Sequence, residues 1–312
     1  MIQISGPLNM VATLPAGRAH GPGDDDRPRG APARQTARVL ECVVNVSEGR
    51  RLDAIADVRR AIGRDVLDVH SDADHHRSVF TMVGTAAPRA LARLTTERFD
   101  LRDHEGVHPR IGIVDVVPFV PLDGATMTDA LAARDDFAAW AADELGIPSF
   151  FYGPERVLPE IRKRAFADLA PDVGPRAPHP TAGAICAGAR DVLVAYNVWL
   201  DGATLADARR IARELRTGDV RTLGLPCGAH QQVSMNLIAP ARVGPEAVYD
   251  AVAARARVAR AELVGLLPAR ILAAVPKARW AELDLGADRT IEWRLAERNR
   301  AASGTESGER AD

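Results

Sequence analysis

R-D-H-E-G-V-H-P-R-I-G-I-V-D-V-V-P-F-V-P, residues 102–121, passes from a polar loop into an almost unbroken apolar run. Gly106 and Pro109 both oppose helix, so His104 and His108 belong to irregular backbone. Residues 111–117 are β-branched and nearly continuous, which predicts a buried strand. Reactive groups are commonly carried on loops held by a rigid scaffold. Imidazole titrates near neutrality, so His108 is a candidate to take and return a proton. The residues alone leave open the plainer reading of two surface histidines.

Before this stretch the pattern predicts a strand over 39–46, a helix over 51–62 and a short strand over 66–69. A polar turn, a strand over 78–83 and a helix over 88–99 follow. Strand, helix, strand, strand, helix, strand is the order of the split βαβ, ferredoxin-like unit. After it, a helix over 126–145 is stopped by Gly146 and Pro148, and a short strand is expected over 149–152. A proline-rich connector with one helical piece near 158–169 leads on. The order then recurs, with strands over 192–200, 220–225, 231–238 and 261–266 and helices over 204–215 and 245–257. Thr204 and Asp207 open the first of these helices in the manner of a capping box. The expected class is therefore α+β, a two-layer α/β sandwich of duplicated ferredoxin-like βαββαβ subdomains over 39–188 and 189–287. A ligand groove is expected between them. Residues 1–38 and 299–312 are polar or rich in Gly and Pro, and are expected to be disordered.

With 40 basic and 42 acidic residues among 312, no global field draws this chain to nucleic acid or an anionic membrane. No signal peptide or spanning segment is recognisable. The three cysteines Cys42, Cys186 and Cys227 form no C-x-x-C pair and no disulfide framework, which fits a reducing cytoplasm. His70, His75 and His76 lie among Asp68, Asp72 and Asp74, and His104 precedes His108 by four residues. Neither set has metal-ligand spacing on a helix, so no metal is expected. G-P-R-A-P-H-P-T-A-G, residues 174–183, is stiffened by prolines and opened by glycines. It suits either a flat ligand or an interdomain link.

These residues resemble one family, the glutamate formimidoyltransferases of histidine breakdown, in the form that lacks a cyclodeaminase domain. The matching pieces are E-C-V-V-N-V-S-E-G-R (41–50), D-V-H-S-D-A-D-H-H-R-S-V (68–79) and H-P-R-I-G-I-V-D-V-V-P-F-V-P (108–121). E-L-G-I-P (144–148), P-D-V-G-P (171–175), H-P-T-A-G (179–183) and V-A-Y-N-V (194–198) continue the series. Q-V-S-M-N-L (232–237) and L-V-G-L-L-P (263–268) complete it. The resemblance implies transfer of the formimino group of N-formimino-L-glutamate to N5 of tetrahydrofolate, as co-substrate, in a cytoplasmic homodimer. It implies that His108 is the catalytic acid/base. The folate-binding stretch falls on Gly174, Pro175, Arg176, Ala177, Pro178, His179, Pro180, Thr181, Ala182 and Gly183. Arg77 and Arg110 are candidates to pair with substrate carboxylates, and Asn45 and His70 join them as candidate substrate contacts. The chain departs from the family at His70, usually acidic, at His76, usually Asn, and at Val107, usually Glu. Another one-carbon donor, such as 5-formyltetrahydrofolate or formylglutamate, and a folate-binding protein without turnover are the alternatives.

Overall fold

Cys42, Val44 and Val46 are fully buried in the first strand, β1 (Leu40–Val46), while Val43 and Asn45 between them are only half-buried. That two-residue period puts a helix-covered core on one face of the sheet and leaves the other face for polar chemistry. The computed structural model describes residues 38–306, with side chains as far as 301. The extension expected over 1–38 lies outside the described residues but for Arg38.

The chain continues with α1 (Leu52–Ile62), β2 (Val66–Asp72), β3 (Arg77–Val83), α2 (Ala86–Arg98) and β4 (Val114–Pro121). These strands pair antiparallel in the spatial order β2-β3-β1-β4. Then come α3 (Met127–Leu145), β5 (Ser149–Tyr152), α4 (Leu158–Arg164) and β6 (Ile185–Ala189). β6 joins β4 in parallel and β5 joins β6 in parallel, which makes a mixed six-stranded sheet. Ile55, Val58, Leu91, Phe137 and Ala141 bring α1, α2 and α3 onto the core face. Ile161 of α4 packs on the opposite face, against Val116, Phe150, Tyr152 and Cys186.

The second half runs β7 (Val194–Leu200), α5 (Leu205–Leu215), β8 (Val220–Cys227), β9 (His230–Leu237), α6 (Pro245–Ala253) and β10 (Val258–Val264). Its four strands are antiparallel, in the order β10-β7-β9-β8. Tyr196, Val198, Ile211, Val233 and Val252 belong to a core of its own, and α7 (Ala269–Ala273) adds Ile271 and Leu272. The class is α+β in layers of sheet and helix, and both halves carry strand, helix, strand, strand, helix, strand. Both α3 and α5 open on full capping boxes, Thr126 with Asp129 and Thr204 with Asp207. Gly146 closes α3 in the left-handed conformation, where a Cβ would be strained.

Four differences from the sequence reading have physical causes. β4 begins at Val114 rather than 111, because Ile111, Gly112 and Ile113 bond instead to the backbone of residues 182–184. β2 continues through His70, Ser71 and Asp72, which pair with Val79, Ser78 and Arg77; only the following residues form the turn. β6 was not expected as a strand, since I-C-A-G-A lacks β-branched residues after its first. Finally, α8 (Ile291–Glu306) runs through residues expected to be a frayed tail. Ile291 packs with Leu67, Val83 and Leu266, and Arg298 bonds Asp65 at 2.6 and 2.9 Å, so tertiary contacts hold a helix whose sequence is largely polar. Among the described residues no helix is long and apolar enough to cross a membrane.

Candidate active site

Gly106 and Pro109 do keep residues 104–110 irregular. The loop is held by Arg110, whose guanidinium donates to the carbonyls of His104 (2.7 Å), Gly106 (3.1 Å) and His108 (3.3 Å). Arg110 was expected to meet a substrate carboxylate; here its guanidinium serves the backbone as a clamp. The clamp presents His108 half-buried at the end of the sheet where β3 and β4 begin. His108 Nδ1 lies 2.8 Å from the Pro109 carbonyl, and the tautomer that donates to it keeps its lone pair on Nε2. Arg77 Nη1 lies 3.2 Å from Nε2 and also closely contacts Nδ1. Burial first, and the Arg77 cation second, push the His108 imidazole down to about 2, so the ring is neutral.

Arg77 opens β3 and is itself largely buried, which lowers its guanidinium to about 10 and leaves it charged near neutrality. Asp115 faces it at 3.6 Å and meets Arg162 of α4 at 2.6 Å. The other Asp115 oxygen accepts the Ile111 amide at 2.8 Å, which ties the loop to the strand. Neither Asp115 nor Arg162 was singled out in the sequence. An acid inside I-G-I-V-D-V-V was the available signal, because a buried carboxylate requires a partner.

The stretch expected to bind folate meets this loop directly. Its first half, Gly174 to Pro178, is exposed. Its second half folds back: His179 and Gly183 exchange backbone bonds of 2.8 and 2.9 Å, and His179 Nδ1 accepts the Ala182 amide at 3.0 Å. Ile113 then bonds the Ala182 carbonyl at 2.9 Å, and Ala184 bonds the Ile111 carbonyl at 3.0 Å. The two segments are zipped together just beyond His108. Gly183 has φ +73°, and a Cβ there would lie 2.2 Å from the Ile111 carbonyl. Gly183→Ala is therefore expected to cost more than about 1 kcal/mol and to weaken folate binding. Denaturant melting and a folate titration on the same preparation check this, and an unchanged midpoint would contradict the zip.

Asn45, Val79 and His70 are cross-strand neighbours. His70 reaches the second half, with Nε2 3.5 Å from Glu262 Oε1 in β10. The other Glu262 oxygen accepts from Asn197 (3.0 Å), Trp199 (3.1 Å) and, more weakly, Gln232 (3.5 Å). Burial opposes the charge on Glu262, but the bonds from His70, Asn197 and Trp199 outweigh it and hold the carboxyl down to about 2. A second tie joins His75 Nε2 to Cys227 Sγ at 3.3 Å, and the His75 ring lies 6.0 Å from that of His108. Glu262, like Asp115, is an acid within an apolar strand that the sequence reading passed over. Among the described residues no group of three or more His, Cys, Asp or Glu is arranged to hold a metal ion.

A family profile, the formiminotransferase domain, N-terminal subdomain, matches residues 39–190, which include the loop, Arg77, Asp115 and the folded-back stretch. The glutamate formimidoyltransferase of Streptococcus pyogenes serotype M1 is 34% identical over 272 residues, spanning 76% of this chain and 91% of that protein. The chain belongs to the formiminotransferase family. The glutamate formimidoyltransferase of Thermoplasma acidophilum is 35% identical over 277 residues, spanning 77% of this chain and 91% of that protein. The formimidoyltransferase-cyclodeaminase of Sus scrofa is 33% identical over 278 residues, but the alignment spans only 51% of that protein. Since β7 starts at Val194, the profile covers the six-stranded sheet and stops short of the second sheet.

Proposed function

We propose that this chain is a glutamate formimidoyltransferase, moving the formimino group of N-formimino-L-glutamate to N5 of tetrahydrofolate. The observation that supports this most is the 34% identity to a glutamate formimidoyltransferase across 91% of its length. The local chemistry agrees. N5 attacks the formimino carbon and becomes cationic; the new C–N bond forms and the bond to the glutamate nitrogen breaks. The N5 proton must leave and the departing nitrogen must gain one, and a single neutral imidazole can carry it from one to the other. Nε2 of His108 is the basic nitrogen, with Arg77 donating to it. A substrate carboxylate drawn to Arg77 would offset that cation, release Nε2 and raise its basicity just when a base is needed.

Tetrahydrofolate is assigned to the 174–183 stretch, with its reactive end towards His108. Arg77 is assigned to a carboxylate of the glutamate moiety, and Asn45 and His70 to the wall opposite. Arg110 is assigned to holding the loop. The reading includes two subdomains with the ligand between them, a homodimer and a cytoplasmic setting; the three buried free thiols agree with the last. A turnover assay with tetrahydrofolate and a panel of formiminoglutamate, formylglutamate and 5-formyltetrahydrofolate tests it. Formiminoglutamate is expected to be the preferred donor. Preference for a formyl donor, or folate binding with no donor turned over, would defeat the proposal.

A further inference from the structure

His76 stands in the turn between β2 and β3 with φ +50°, in the left-handed region that a residue other than glycine seldom occupies. Such a conformation persists only where surrounding contacts impose it. Both nitrogens of its ring are engaged, and both face acceptors. Nε2 lies 3.0 Å from Glu48 Oε1, and Nδ1 lies 3.0 Å from the Glu105 carbonyl. A neutral imidazole carries one N–H and cannot donate to both; only the imidazolium can.

Glu48 is suited to face a cation. Its carboxylate accepts the Arg50 and Arg51 amides at 2.8 and 3.0 Å and the Arg51 guanidinium at 2.5 Å. These bonds outweigh burial and hold the carboxyl down to about 2, so it is ionised throughout the working pH range. On the other side, the His76 ring stacks on that of His104, with centroids 4.1 Å apart and planes within 12°. His104 Nε2 donates back to the His76 carbonyl at 2.7 Å, which leaves Nδ1 buried and without a partner. Burial lowers the His104 imidazole, in keeping with a neutral ring beside a charged one. Gly106 seals the contact, since a Cβ there would lie 2.5 Å from the His75 carbonyl and 2.8 Å from both the His76 Cβ and the His104 ring. The charged and titratable groups around the His76 ring are thus Glu48 and Arg51 from the β1–α1 connection, and His104 and Arg110 from the loop.

We infer that His76, held as an imidazolium between Glu48 and the Glu105 carbonyl, is a positioning residue that fixes the loop carrying His108. Glu48 anchors the ring to the sheet, and the ring anchors residues 104–106 by one hydrogen bond and one stack. Arg110 ties the same loop to itself, so it sets the loop's shape while His76 sets its place. His76 touches no reacting atom in this assignment. The consequence for turnover rests on the formimidoyltransferase reading; the clamp itself does not.

The test uses the full chain with its histidines labelled with ¹⁵N. At pH 7 the His76 ring is expected to give the nitrogen shifts of an imidazolium, and in Glu48→Gln those of a neutral ring. The amides of residues 104–108 should exchange faster in His76→Ala than in the wild type. Turnover in His76→Ala and in Glu48→Gln should fall roughly 10- to 100-fold, the range of a misplaced catalytic group, with KM changed little. His76→Asn, which keeps a donor for one acceptor, should recover part of that loss. A neutral His76 ring in the wild type, or wild-type loop exchange in His76→Ala, would overturn the inference. If His76→Ala does not fold, the spectra of the wild type and Glu48→Gln decide it. A wild type that turns over no formiminoglutamate would end the functional proposal, while the spectra and exchange still decide the clamp.

Discussion

His108→Ala is expected to lower turnover by roughly 10²- to 10⁴-fold, the usual share of a positioned general acid/base. Folate affinity should change far less, because the folded-back stretch is held by backbone bonds of its own between residues 111–113 and 182–184. The variant also has a distinct acid response. The folded protein holds the His108 ring at about 2, far below the ordinary value for histidine near 6.5. A depressed group binds fewer protons in the folded state than in the unfolded one. Its contribution to stability is therefore complete above about pH 6.5 and is lost as the pH falls through the window towards 2. His108→Ala removes this acid-linked loss and leaves stability near neutrality unchanged, so its melting temperature should fall less steeply than the wild type's on acidification below pH 6.5. Turnover, folate dissociation constant and a melting series across pH on one preparation check all three expectations. A variant with near-normal turnover would remove His108 from the chemistry.

Asp115→Ala should be the most damaging substitution for the fold. Asp115 is 1% exposed and faces two guanidiniums, Arg77 at 3.6 Å and Arg162 at 2.6 Å. Deleting one member of a buried pair strands the other charge, at a cost of about 3–5 kcal/mol. For a chain of this size that corresponds to a melting temperature lower by on the order of 10 °C. The Ile111 amide would lose its acceptor as well, so folate binding should weaken along with stability. Asp115→Asn keeps an oxygen for Ile111 but no countercharge for the arginines, and should fall between the two. A melting temperature within a few degrees of wild type for Asp115→Ala would mean that the arginines are stabilised by something other than this carboxylate. These two variants separate the loop's chemistry from its anchorage, since one should spare stability near neutrality and the other should not.

Much of the element order was legible because it is local. Leu52, Ile55, Val58 and Ile62 recur at helical spacing, and α1 lies on them; Thr204 and Asp207 announce α5 three residues apart. What escaped was whatever depends on a distant partner. Residues 111–113 have the composition of a strand, yet Gly112 bridges Gly183 rather than continuing the ladder. α8 is polar along most of its length and owes its place to Leu67, Val83 and Asp65, more than two hundred residues away. At the site, His108, Arg77 and the 174–183 stretch could be named from motif resemblance, and they do lie at one end of the sheet. Arg110 donates to three backbone carbonyls, an arrangement that its charge type alone does not reveal. Asp115 and Glu262 were legible only as acids in apolar strands, and their meaning came from Arg162 and Asn197, neither predictable by spacing; Glu48 has its Arg51 partner three residues on, but its contact with His76 is distant.

The return of α8 to the first sheet also has a bearing on the order of events at the ribosome. β2 is one of the two edge strands, and its Leu67, with Val83 of the adjacent β3, is covered by Ile291 and Leu295. Those covering residues are translated more than two hundred positions after Leu67. A nascent chain can therefore assemble most of its first sheet early, yet must carry an uncovered apolar rim until α8 has been added. An exposed edge of this kind is where wrong strands pair. The period of vulnerability thus lasts from the completion of β3 until α8 has been made.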